Sequence, residues 1–144
     1  MYAPSHASHA SSAYHQVGVE TGVAAASAHR LVGMLYDGFF DALAQARGAL
    51  QAGRIEDKGR AIGRAVRIVE EGLRAALDDR QGGKLAANLK SLYGYVALRL
   101  TQANLHNDVG ALDECAQLIE PLRAAWQAIA PPAGTVPASA NAAR

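Results

Sequence analysis

The stretch Leu85-Ala86-Ala87-Asn88-Leu89-Lys90-Ser91-Leu92-Tyr93-Gly94-Tyr95-Val96-Ala97-Leu98-Arg99-Leu100-Thr101-Gln102-Ala103-Asn104-Leu105 decides the fold. Leu85, Leu89, Leu92, Val96, Leu100 and Ala103 recur every three or four residues, the spacing of one helix face. The helix is expected to start near Lys84, after an Asp78–Gly83 turn. It should end near Leu105, before a break and cap at Asn107-Asp108. The stretch carries a second signal. Leu98 and Leu105 are seven residues apart and share a side that lies away from the apolar stripe, with Tyr95 between the two faces. Tyr93 lies near the stripe and reads as core.

Three further helices follow from the same period. The first is expected to start near Ser27, a plausible N-cap. Its stripe is Leu31, Val32, Leu35, Phe39, Ala42, Leu43, Ala46 and Leu50, and Gly53 should stop it in a left-handed conformation. The second should run from about Ile55 to Leu77 with a stripe of Ile55, Ile62, Val66, Val69, Leu73 and Leu77. The fourth carries Leu112, Cys115, Ile119, Leu122, Trp126 and Ile129, and Pro121 should bend it or force a local rearrangement. No useful length alternates with period two. Four amphipathic helices on short turns predict an all-α, antiparallel, up-and-down four-helix bundle over residues 24–130. Residues 1–23 read as a flexible N-terminal arm able to add a short extra helix. Residues 131–144, with Pro131, Pro132 and Pro137, read as a disordered tail.

Composition narrows the function. Of 144 residues, 50% are hydrophobic, but 32 of those are Ala and only 33 are Val, Ile, Leu, Met or Phe. The core must therefore be built from small side chains and close backbones. Gly33, Gly38, Gly48, Gly59, Gly63, Gly72 and Gly94 fall inside the expected helices, each at a cost of roughly 1 kcal/mol against Ala. Either close approach to a neighbour compensates, or the bundle tolerates the loss. A net charge of +1 gives no electrostatic reason to bind nucleic acid or an anionic membrane. No apolar run nears the roughly 20 residues of a membrane span. No secretory signal is visible, so a cytoplasmic protein is expected.

The residues show no catalytic set. Of five histidines, His6, His9 and His15 sit in the arm, where two neighbouring ligands make a poor metal site. Cys115 falls on a core stripe and reads as an inert thiol. Glu70-Glu71 and Asp78-Asp79 read as solvated charge. Neither an enzyme nor a cofactor is expected. The informative feature is apolar surface off the stripes: Tyr95, Leu98 and Leu105 on the third helix, Phe40 and the marginal Tyr36 on the first, Ile68 on the second. Such side chains either serve a helix packed on two sides or form an exposed groove for an apolar peptide.

Several motifs in order resemble the flagellar export chaperone family, FliS. Tyr14-His15-Gln16-Val17-Gly18-Val19-Glu20 precedes Ser27-Ala28-His29-Arg30-Leu31-Val32-Gly33-Met34-Leu35-Tyr36-Asp37-Gly38. Gly82-Gly83-Lys84-Leu85-Ala86-Ala87-Asn88-Leu89, Leu92-Tyr93-Gly94-Tyr95, Arg99-Leu100, Ala103-Asn104 and Ala125-Trp126 follow. The likeness spans roughly Ala13 to Ile129. It departs at Ala28, where the family often has proline, and at Ser11, where it often has an apolar residue. The resemblance implies a cytoplasmic chaperone, without cofactor or ATP hydrolysis, that binds the disordered C-terminal segment of flagellin. It would block premature assembly and deliver its client to the flagellar export gate as a one-to-one complex. Partner contacts are expected from Tyr14, Val17, Val19, Tyr36, Phe40, Asn88, Tyr95, Leu98, Asn104 and Leu105. For Asn88 and Asn104 a structural hydrogen bond is the other reading. The segment around Tyr14 either competes with flagellin for the groove or anchors the arm. Outside the resemblance, the alternative is an adaptor bundle that dimerises through its apolar face.

Overall fold

The computed structural model describes residues 22–129, and among them every regular element is helical. Helix α1 spans Gly22–Gln51. It begins about one turn before Ser27, so Ser27 is an exposed residue inside the helix and not its cap. The run Ala24-Ala25-Ala26 explains the difference, because Ala has the highest helix propensity and carries the helix upstream. Gly53 takes φ +76° after α1, as expected.

Helix α2 spans Ile55–Arg67 and then widens into a π-helical segment, Ile68–Arg74. The sequence predicts one uniform helix to Leu77. Val69, Leu73 and Leu77 are buried as expected, but Ile55 projects into solvent at the first turn. Helix α3 spans Asp79–His106, and Gly83 interrupts it with φ 54° and ψ −133°. The expected turn is therefore a helical turn and a kink, capped by Asp78. This overturns the reading of Asp78 as solvated charge. It is buried, and its carboxylate accepts hydrogen bonds from the backbone N–H groups of Arg80 and Gln81. Such caps satisfy donors that the first helical turn leaves unpaired. Helix α4 spans Val109–Ala128 and continues through Pro121. Asn107 ends α3 in the left-handed conformation and Asp108 caps α4, as the sequence predicts.

The short connections make sequential helices antiparallel neighbours. Helix α1 packs beside α2 and α4, and α3 packs beside the same two. The bundle is thus a four-membered ring around one core. Ala42, Ala46, Ala61, Ala65, Ala86, Ala103 and Ala111 are buried in it, which brings the helices close. Tyr36 on α1 and Tyr93 on α3 join across the diagonal through hydroxyls 2.9 Å apart. Lys58 is only 4% exposed. Its Nζ donates to the Asn104 carbonyl at 2.8 Å and to Asn107 Oδ1 at 2.6 Å. The ammonium thereby sits at the negative end of the α3 dipole and ties that end to α2.

Candidate functional site

The outward face of α3 presents Tyr95, Leu98 and Leu105, exposed by 42%, 54% and 74%. The stripe of the same helix explains why. Tyr93, Val96, Leu100 and Ala103 are fully buried in the core. With 100° between successive residues, Leu98 and Leu105 must then point almost opposite to it. Their two-turn separation places them about 10 Å apart along the helix.

Tyr95 stands at the edge of this surface and is held there by polar contacts. Its hydroxyl donates to Glu114 Oε2 on α4, and Arg99 Nε donates to Glu114 Oε1 at 2.8 Å. Arg99 Nη1 also donates to Gln102 Oε1. The hydrogen bond from Tyr95, then that from Arg99, keeps the Glu114 carboxyl below its ordinary range, and the same contacts raise the Tyr95 and Arg99 values. The ring of Tyr95 is left as an oriented aromatic surface with its polar end occupied.

Other expected contacts separate from this face. Tyr36 is 2% exposed and belongs to the core, which corrects its assignment as a partner contact. A residue at the margin of a stripe is covered when its helix has neighbours on two sides, and α1 has both α2 and α4. Phe40 is half-buried in the α1–α4 seam. Phe39 meets it edge-on at 5.2 Å, and the Arg123 guanidinium lies 4.9 Å above its ring. That cation occupies one face of the ring. Asn88 and Asn104 are exposed. The Asn104 carbonyl serves the Lys58 contact, while its side chain lies beside Gly59. Ile68 packs against the core. Tyr14, Val17 and Val19 lie outside the described residues.

Two apolar side chains that sequence reasoning missed are Leu31 and Met34, 52% and 56% exposed on α1. The sequence stripe places Leu31 in the core, and the structure corrects this. Leu35, one turn later, packs so tightly on Gly72 that a Cβ there would lie 2.9 Å from its Cδ2. In the same antiparallel register Gly38 faces Ile68. The neighbour of Leu31, Val32, is buried, and the 100° step between successive helical residues turns Leu31 away from the core face.

Sequence motifs near the start of α1 and the end of α4 form a clamp. His29 stacks on Trp126 with ring centroids 4.8 Å apart. His29 Nε2 donates to the Trp126 carbonyl at 3.0 Å, and Trp126 Nε1 donates to the His29 carbonyl at 2.9 Å. Cys115 is buried, and burial pushes its thiol up to about 12, so it is protonated at neutral pH. Among the described residues no group of three or more His, Cys, Asp or Glu side chains is placed to hold a metal ion. No described helix is long and apolar enough to cross a membrane.

Known proteins resemble the chain in sequence. The family described as "Flagellar protein FliS" matches residues 10–133. The chain is 46% identical over 121 residues to the flagellar secretion chaperone FliS of Salmonella typhimurium, covering 84% of this chain and 90% of that one. It is 45% identical over 116 residues to the flagellar secretion chaperone FliSB of Pseudomonas aeruginosa, covering 81% and 91%. The flagellar secretion chaperone FliS of Bacillus subtilis is more distant, at 32% over 115 residues, covering 80% and 81%.

Proposed function

The chain belongs to the FliS family of flagellar proteins, and from that premise we propose that it is a cytoplasmic export chaperone for flagellin. It holds the C-terminal segment of the subunit, which is unfolded before assembly, and passes it to the flagellar type III export gate. It is a binding module with no catalytic step. The observation that carries this reading is the outward face of α3, where Tyr95, Leu98 and Leu105 are exposed.

The physical requirements of the task match that face. The terminal segment of a polymerising subunit is amphipathic, and its apolar anchors must be covered without being folded into the filament form. Two leucines about 10 Å apart accept anchors spaced by two helical turns. Burial contributes roughly 25 cal/mol per Å² of apolar area. Ordering the segment opposes this by about 2–5 kcal/mol. The balance permits capture and later release.

The test is calorimetric titration of a synthetic flagellin C-terminal peptide into the protein and into Leu98→Asp, Leu105→Asp and the double variant. Each single variant should lose about tenfold in affinity, with the far-UV circular dichroism unchanged. Unchanged affinity in the double variant removes α3 from the client site. Lost helicity would show that the two leucines support the fold.

A further inference from the structure

Away from the exposed face of α3, the seam between α1 and α2 opens into a groove of about 670 Å³. Gly48, Gly59 and Gly63 help to form it, and Arg54, Arg60, Arg64 and Arg67 line it. Asp57 is the only acidic side chain in the lining. It is already shared, because Arg54 Nε lies 3.3 Å and Arg60 Nη2 2.5 Å from its two oxygens. Arg64 and Arg67 have no acidic partner among the described residues. The groove thus concentrates a formal charge of +3 in a protein whose whole net charge is +1.

From this we infer that the α1–α2 groove is a docking site for a short acidic peptide segment of a second protein, distinct from the client. Three features select that occupant. Arg60, Arg64 and Arg67 recur at helical spacing on one face, so their guanidinium groups form a row and not a point. From Arg54 to Arg67 the helix rises roughly 20 Å, which about six extended residues would span. Guanidinium groups bind carboxylates with paired, charge-assisted hydrogen bonds. Gly48 leaves a low wall on the α1 side, where even a Cβ would meet nothing within 4 Å, so a peptide backbone can approach there.

The lining argues against a nucleic acid. It contains no aromatic side chain on which a base could stack. Outside the groove the rest of the chain carries a formal charge of −2, which offers a long polyanion no further attraction. A short acidic segment meets only the local excess.

The inference does not rest on the flagellin reading, and one experiment separates them. Fluorescence anisotropy with a labelled octaglutamate peptide would be read against the full chain, Arg64→Glu/Arg67→Glu, and Arg80→Glu/Lys84→Glu. The two double variants change the net charge equally, but only the first alters the groove. Saturable binding should weaken about tenfold or more in the groove variant and less than about twofold in the control. Capture of the flagellin C-terminal peptide should stay unchanged in both. No saturable binding to the unaltered protein overturns the inference, as does equal weakening in both variants. Tighter binding of a sixteen-residue oligothymidine than of octaglutamate would assign the groove to nucleic acid instead. Loss of flagellin-peptide capture in the groove variant would merge the groove with the client site and overturn a second partner.

Discussion

At the scale of single residues, Tyr36 and Tyr93 illustrate how a polar atom can sit inside an apolar core. Each ring is buried, and each hydroxyl serves the other across the diagonal of the bundle. A buried hydrogen bond of this kind adds about 1 kcal/mol net. Urea unfolding of Tyr36→Phe, Tyr93→Phe and the pair should therefore give a coupling of about 1 kcal/mol in a double-mutant cycle. Tyr36→Phe should leave peptide affinity within about twofold, because the side chain faces inward. Glu114 gives a second residue-scale expectation. Its folded value is lowered by Tyr95 and then by Arg99. A carboxyl with a lowered folded value contributes stability above its unfolded value and loses it as pH falls through the folded value. The urea midpoint of Glu114→Gln should thus lie below that of the unaltered protein at pH 7. The gap should narrow as pH falls below 4.5, the ordinary glutamate value. A gap that widens in acid would contradict the assigned contacts.

At the scale of elements, the glycines separate into the two classes that the sequence left open. Gly72, in the π-helical segment, is a close-approach position: a Cβ would lie 2.9 Å and 3.2 Å from the methyl carbons of Leu35. At Gly48, inside α1, a Cβ would meet nothing within 4 Å. The same substitution should therefore have opposite signs. Gly48→Ala should stabilise by about 0.5–1 kcal/mol through helix propensity. Gly72→Ala gains the same propensity but crowds Leu35, at a cost of about 1–3 kcal/mol, and should be destabilising. Thermal and urea unfolding of the two variants check the signs directly. The π-helical segment supplies both close approaches to α1, Ile68 at Gly38 and Gly72 at Leu35.

At the scale of the whole molecule, the ring of helices has an apolar outward face on α3 and an arginine-lined seam between α1 and α2. The same α3 face that would hold a client could also pair two copies of the chain. Light scattering distinguishes the two outcomes. The purified protein should be a monomer and should shift to the mass of a one-to-one complex when the flagellin C-terminal peptide is added. A stable dimer indifferent to the peptide would favour an adaptor. Deleting residues 1–16 should leave peptide affinity equal or raise it if the segment around Tyr14 competes with flagellin for its site. A clear loss would make the arm a direct contact.

Periodicity alone determined four helices, their order and the antiparallel bundle, because each stripe must find a partner and the connections are too short for any other route. It also placed Leu98 and Leu105 away from the stripe of their own helix, while their exposure was decided by the absence of a described helix packed on that side. Tertiary structure decided what lies opposite each side chain. Tyr36 became core because two helices flank α1. Leu31 became surface because the packing of α1 seats Val32, Tyr36 and Phe39 in the core. Asp78 became a buried cap because the next helix begins one residue later. The arginine groove likewise needed α1 beside α2 to become a groove at all. A helical repeat specifies directions around one axis, whereas burial is set by the size and register of the neighbour, which only packing supplies.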